Sequence, residues 1–287
     1  MDSITTPSRI KEYIRKSSFY FKKNLGQNFL IDENITRKIT DLLETYKNDI
    51  IVEIGPGFGS LTQFIIPEAL STYAIEIDPF AVKVLGEIFE GEESLHLINT
   101  DFLKADIPAL IADEMTGSAL VKAISNIPYY ITSPIILKLL CEKPDYERIV
   151  IMVQKEVADR ITAPVGTKDY SAFSITIDYF AEVHNCFDVS RDCFMPQPNV
   201  DSTVLVLTPR KEKKVQVDNE EVFLKTVRSA FAMRRKTMLN CIAAGFSMSK
   251  DDSRDILEKA GISPQIRGEK LDIYEFAHLS NVINAKK

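Results

Sequence analysis

The sequence predicts an α/β protein: a mostly parallel sheet with one antiparallel edge, followed by a smaller helical domain. Three observations carry the prediction. Buried-strand patterns alternate with amphipathic helical stretches through the first half of the chain. A glycine-rich turn, Gly55-Pro56-Gly57-Phe58-Gly59, closes the first of those strands. Beyond Pro209 the apolar spacing becomes helical throughout. Strands separated by helices can pair in parallel only if both faces of the sheet are covered.

Taken in order, the chain opens with a basic arm. From Arg9 to Lys23 the only acid is Glu12, against Arg9, Lys11, Arg15, Lys16, Lys22 and Lys23. After Gly26-Gln27-Asn28-Phe29-Leu30 an amphipathic helix starts near Asp32, with Ile35, Ile39, Leu42 and Leu43 on one face. Asp49 to Ile54 reads as a buried strand. A helix follows its glycine turn, with Leu61, Phe64 and Ile65 inward. Thr72 to Ile77 is the next strand, closed by Asp78-Pro79 ahead of a helix through Phe89. Leu95 to Ile98, Ala119 to Ile124 and Ile149 to Val153 are the third, fourth and fifth strands. Ser174 to Phe180 and Thr203 to Leu207 lack an intervening helix and read as an antiparallel pair at one edge, joined through the stiff loop Phe194 to Asp201. Pro209-Arg210-Lys211-Glu212-Lys213-Lys214 is a charged hinge. Beyond it Phe223, Val227, Phe231 and Met238 share a helical face interrupted at Arg234-Arg235-Lys236. Gly245 reads as a helix stop, and Asp272 with Glu275 as the cap of the last helix. The expected domains are a basic arm over residues 1–31, a sheet domain over 32–209 and a helical domain over 210–287.

Composition narrows the class. With 287 residues and 45% hydrophobic content the chain can bury a full core and a smaller second one. No run approaches the roughly 20 apolar residues of a membrane span. Met1-Asp2-Ser3-Ile4 has no apolar signal core, so a cytoplasmic protein without a membrane partner is expected. The 4 cysteines (Cys141, Cys186, Cys193, Cys241) and 3 histidines show no ligand spacing, which predicts reduced thiols and no metal. The net charge of −6 opposes nucleic-acid binding for the chain as a whole. The charges are segregated, however. No acid occurs between Glu221 and Asp251, where Lys225, Arg228, Arg234, Arg235, Lys236 and Lys250 fall. Such a run is either a solvated face or an electrostatic footprint for phosphates.

Gly55, Gly57 and Gly59 remove the Cβ atoms where a ligand would lie against the backbone. Glu76 ends the second strand about 20 residues on, where an acid takes ribose hydroxyls in nucleotide-binding sheets. Asp101 ends the third strand, suitably placed to accept from an adenine amino group. Each feature alone has a bland reading; three on successive strand ends point to an adenine nucleoside cofactor in a Rossmann-like sheet. The Gly-x-Gly-x-Gly spacing departs from the dinucleotide fingerprint, and no second nucleotide-binding half follows. S-adenosylmethionine, which has ribose and adenine but no pyrophosphate, fits better than NAD.

Ser125-Asn126-Ile127-Pro128-Tyr129-Tyr130 reads as a buried strand ending in a rigid polar turn, then a helix. Pro128 fixes its own φ and restricts Ile127, presetting the carbonyl directions. A carboxamide, an aimed carbonyl and an aromatic ring side by side suit an exocyclic amine and the ring that bears it. Two hydrogen-bond acceptors, the Asn126 oxygen and the Ile127 carbonyl, can orient such an amine, and an attacking amine loses its proton only after becoming cationic, so no strong general base is needed. Glu53 and Glu156 are accordingly given structural roles.

Several motifs together resemble the rRNA adenine dimethyltransferase family: Lys23-Asn24-Leu25-Gly26-Gln27-Asn28-Phe29-Leu30, Val52-Glu53-Ile54-Gly55-Pro56-Gly57, Glu76-Ile77-Asp78 and Asn126-Ile127-Pro128-Tyr129. Phe194-x-Pro196-x-Pro198-x-Val200-Asp201-Ser202, Arg234-Arg235-Lys236-Thr237 and Arg267-Gly268-Glu269 resemble its small-subunit branch. The resemblance implies that Asn28 and Leu30 close over S-adenosylmethionine and that Gly55 and Gly57 underlie it. It further implies that Glu76 holds the ribose, Asp101 the adenine, and that Asn126 borders the reacting methyl. Tyr129 and Phe194 would sandwich a flipped adenine beside Ile127 and Pro128. The basic run itself, with Arg228, Arg234, Arg235 and Lys236, reads as a grip on rRNA phosphates or as a solvent-exposed helix. The implied activity is dimethylation of two adjacent adenosines in a hairpin loop near the 3′ end of 16S rRNA, by a monomer acting on the 30S subunit or its precursor. The alternatives are a 23S rRNA methyltransferase conferring macrolide resistance, or a ribosome-assembly factor with secondary catalysis.

Overall fold

A computed structural model of the chain describes residues 28–286; most of the predicted basic arm therefore lies outside the described residues. Contacts divide the chain into two compact units. One holds residues up to Ala158 together with Val183–Pro209, the other Asp159–Glu182 together with Arg210 onward.

In the first unit, β1 (Phe29–Leu30) precedes α1 (Glu33–Asp41), whose N-cap Asp32 accepts from the Ile35 N–H at 3.1 Å. The core strands follow: β2 (Ile50–Ile54), β3 (Ser71–Glu76), β4 (Leu95–Asn99), β5 (Val121–Asn126) and β6 (Arg148–Gln154). Between them run α2 (Thr62–Ile65), α3 (Pro79–Ile88), α4 (Ile107–Ile111) and α5 (Thr132–Cys141). All five residues of β2 are buried, as a strand covered on both faces requires. The sheet order is β4-β3-β2-β5-β6-β9-β7, with β4 to β6 pairing in parallel. β9 (Ser202–Pro209) runs antiparallel to β6, and β7 (Ala181–Val189) forms the edge. The chain leaves β2 toward β3 and β4, then returns to its other side at β5. That reversal opens a crevice at the carboxyl ends of β2 and β5, where sheets of this kind bind ligands.

A separate two-stranded ribbon joins β1 to β8 (Phe194–Met195), with Leu30 opposite Phe194. Both side chains enter a core cluster with Ile39, Ile51, Val150 and Val204. At the other end of the sheet, a buried ion pair ties the start of β2 to β5: Lys122 Nζ lies 2.6 Å from Asp49 Oδ2, with both side chains no more than 3% exposed.

The second unit is helical. After α6 (Lys155–Ile161), which begins in the first unit, it comprises α7 (Ala172–Phe180), α8 (Glu220–Ala232), α9 (Met238–Phe246), α10 (Lys250–Lys259) and α11 (Ile273–Asn284). Ser174 to Phe180, expected as a strand, is thus helix α7. Its alternation of Ser174, Thr176 and Asp178 with Ile175, Ile177 and Tyr179 imitates a strand period. A reciprocal capping box between Ser171 and Ser174 starts a helix instead. Tyr179 then packs on Phe223 of α8 at 4.7 Å between centroids, and the Tyr170 hydroxyl donates to the Leu271 carbonyl at 3.1 Å. These contacts bind residues 159–182 to the helices that follow 209, so the division does not fall at a single cut there. Gly245 is not a stop either. It lies within α9, where a Cβ would come 2.1 Å from Ser229 Oγ of α8; its bareness lets two helices touch. The turn is made at Ser247, in the left-handed region at φ 55°. Asp272 and Glu275 do form the expected capping box of α11.

Candidate functional site

A cavity of about 300 Å³ opens at the carboxyl ends of β2 to β5. Its walls bring together Asn28 and Leu30, Gly55 and Gly57, Glu76, Asp101, and the run Asn126 to Tyr129. Four strands in lateral order deliver four polar side chains: Asp101 after β4, Glu76 on β3, Glu53 on β2 and Asn126 on β5.

The floor is built by the glycine turn. Gly55 and Gly57 have φ of +66° and +59°, backbone that an L side chain rarely adopts. A Cβ on Gly57 would also stand 3.0 Å from the Phe29 ring. Glu76 is held from both sides: the Gly57 N–H donates to one carboxylate oxygen at 3.2 Å and the Asp78 N–H to the other at 2.8 Å. Burial pushes its pKa up, and those two bonds pull against the shift. Asp101 caps the short 3₁₀ turn Phe102–Lys104 by accepting from the Leu103 N–H at 3.0 Å.

Asn126 leaves β5 at the far wall. Its amide nitrogen donates to the Asn28 carbonyl at 3.0 Å, which turns the carboxamide oxygen the other way. The Ile127 N–H donates to the Met152 carbonyl at 3.1 Å, and Ser125 Oγ to the Ile54 carbonyl at 2.7 Å, locking the turn to β6 and β2. Pro128 sits at φ −57°, ψ 128°. The Tyr129 hydroxyl lies 2.9 Å from Ser202 Oγ at the start of β9, which fixes the ring's far edge. Burial raises the Tyr129 pKa, so the phenol remains protonated at neutral pH.

Phe194 does not line this cavity. It is 3% exposed and belongs to the core cluster beneath β1. Arg228, Arg234, Arg235 and Lys236 lie in the second unit, the last three in the turn between α8 and α9, all with exposed side chains. Arg234 is tied down: its guanidinium donates to the Lys168 carbonyl and lies 3.6 Å from Glu269.

Of the wall residues that the sequence reading did not assign to the site, three bear on its chemistry. Ile77 and Tyr130 are large and largely exposed, at 48% and 54%, beside Glu76 and Tyr129. Both follow a recognisable motif residue directly, and that adjacency is the signal available. Glu53 is the sole ionisable residue of β2 and is fully buried, yet it lines the cavity. An acid within an apolar strand was the sign.

Among the described residues no cluster of three or more histidines, cysteines and acids could hold a metal, and no helix is long and apolar enough to cross a membrane. A family model described as ribosomal RNA adenine dimethylase matches residues 18–285. The chain is 44% identical over 286 residues to the ribosomal RNA small subunit methyltransferase A of Clostridioides difficile, covering 100% of this chain and 99% of that one. It is 44% identical over 283 residues to the protein of the same name from Geobacillus thermodenitrificans, covering 98% and 97%. Among solved structures, a dimethyladenosine transferase from Plasmodium falciparum aligns with a TM-score of 0.74 at 27% identity, over 90% of this chain and 98% of that one. The 23S rRNA methyltransferase ErmE aligns at 0.66 with 24% identity, over 90% and 100%, a likeness of fold.

Proposed function

Because this chain belongs to the ribosomal RNA adenine dimethylase family, we propose that it dimethylates two adjacent adenosines in a hairpin loop near the 3′ end of 16S rRNA, with S-adenosylmethionine as methyl donor. The substrate is the 30S subunit or its precursor, met in the cytoplasm by a monomer. The small-subunit naming of the relatives at 44% identity favours this over a 23S rRNA target.

The single observation that carries the reading is the Asn126 carboxamide. With its amide nitrogen anchored by one N–H on the Asn28 carbonyl, its oxygen is the acceptor available at the cavity. The residues present also fit the cofactor. Gly55, at positive φ, leaves open space where a Cβ would stand, so a ligand can lie against the backbone, and acids stand at the two strand ends where ribose and adenine would meet them. When bound, S-adenosylmethionine supplies a methyl group on a sulfonium, an already activated leaving group.

The protein's own work is then to position the amine. An adenine amino nitrogen is a weak nucleophile because its lone pair is delocalised into the ring. The Asn126 oxygen and the Ile127 carbonyl accept its two hydrogens and favour a pyramidal nitrogen with its lone pair aimed along the cavity. Proximity and preorganised acceptors supply most of the rate; the nitrogen, cationic once the sulfonium has left as a neutral thioether, gives its proton to solvent, so no carboxylate base is required. The Tyr129 ring stacks on the flipped base, a contact of about 1–3 kcal/mol that offsets part of the cost of unstacking. Phe194, opposite Leu30 in the ribbon, supports the wall rather than the base. Arg228, Arg234, Arg235 and Lys236 engage rRNA phosphates from the helical unit.

Mass spectrometry of 16S rRNA from cells with and without the protein tests the proposal. Two dimethyladenosines should disappear when it is absent. Their persistence, or loss of a 23S modification instead, would refute it.

A further inference from the structure

Among the described residues of the first unit, Glu53 is an ionisable group left partly unsatisfied. It is 1% exposed and stands on β2 between β3 and β5. One carboxyl oxygen accepts from the Thr62 hydroxyl at 2.7 Å; the other, Oε1, has no hydrogen-bond partner. The described residues lining the cavity include no lysine, arginine or histidine. A lone buried carboxylate in such surroundings is strongly disfavoured, and burial, with the Glu76 charge adding to it, pushes the Glu53 pKa up to about 8.

The groups around it are accounted for. From β3 comes Glu76, and Asp78 just after it. Asp101 and Tyr130 line the same cavity, and α2 offers only the Thr62 hydroxyl. From β5 come the neutral Asn126 and Lys122, whose ammonium is committed to Asp49 at the opposite end of the strand. Nothing described neutralises Glu53 from within.

Its place in the lateral order says what would. On the cofactor reading above, on which this rests, Asp101 takes the adenine, Glu76 the ribose, and Asn126 borders the methyl. Glu53 lies on the strand between those that would meet ribose and methyl, where the amino-acid arm of the cofactor, which carries an ammonium group, would pass. We infer that Glu53 is a protonated acid in the free protein and surrenders its proton to solvent when the ammonium group of the cofactor arrives beside Oε1. Cofactor capture is therefore coupled to proton release, with no covalent change: a neutral carboxyl becomes a carboxylate facing an ammonium.

Calorimetric titration of the full chain with S-adenosylhomocysteine, in buffers of different ionisation enthalpy, measures the proton count directly. About one proton per ligand should be released at pH 7, and affinity should rise by about tenfold per pH unit up to pH 8, then level off. 5′-Methylthioadenosine, which has the nucleoside but no ammonium group, should bind without releasing a proton; this comparison needs no variant. Glu53→Gln should bind S-adenosylhomocysteine more weakly and without the pH dependence. Tight binding with no proton exchange and a flat pH profile would overturn the inference while sparing the cofactor reading. Failure of both nucleosides to bind would overturn both.

Discussion

The two ends of β2 treat buried acid in opposite ways. At its start, Asp49 is matched by Lys122 at 2.6 Å, and the Tyr46 ring lies over the same ammonium at 4.9 Å. Toward its end, Glu53 is buried beside Glu76 of β3 with no cation among the described lining residues. The two ends of one strand thus hold an acid whose partner is built into the chain and another whose partner must arrive. The first is architecture; the second is a receptor. Removing a group from each end should damage different things, and that is how the contrast can be broken.

The largest effect is expected at the paired end. Lys122→Met strands Asp49 in the core and should cost about 3–5 kcal/mol of stability, read as a lower urea midpoint. Methyl transfer per folded molecule should change little; a lost rate at full stability would erase the distinction. Next comes Asn126→Ala at the receptor end. It should lower transfer to 30S particles by about 100- to 1000-fold while the urea midpoint and cofactor affinity move far less. Tyr129 sharpens the picture further. Tyr129→Ala should cost about 1–3 kcal/mol in RNA engagement. Tyr129→Phe, which loses only the Ser202 contact, should cost about 1 kcal/mol. Equal losses would assign the effect to the hydroxyl. The smallest effect concerns the helical unit, where the same contrast recurs between a tethered and an outward charge. Arg235→Ala and Lys236→Ala should each flatten the salt dependence of RNA binding by about 0.7 to 0.9 of a unit. Arg234→Ala should do so less, since its guanidinium is already engaged with Lys168 and Glu269.

Much of the sheet was legible because its strands are short apolar runs with turn residues directly after them. Glu76 and Asp101 stood out as acids at the ends of such runs, and the glycines of the first turn do take positive φ. These residues reach one cavity because parallel pairing aligns their strand ends. What stayed hidden depends on contacts distant in sequence. Alternation over Ser174 to Phe180 looks alike for a strand and for a helix buried on most sides, and only the packing of Tyr179 on Phe223 decides. Gly245 resembles a terminator until Ser229 is found against it. Phe194 resembles a stacking platform until its pairing with Leu30 draws it into the core. Glu53 stood out as an acid within an apolar strand, but its oxygen lacking a donor shows only in three dimensions.

The bond that orients Asn126 has a further consequence. Its acceptor is a main-chain oxygen, 98 positions earlier in the chain, and every amino acid supplies one. Drift in the side chain at position 28 would leave that oxygen in place. What the contact does require is that a two-residue ribbon keep its register against β8. Tolerance of that one contact at the level of letters is therefore matched by intolerance at the level of docking, and an insertion near Phe29 would break it whatever residue stood at position 28.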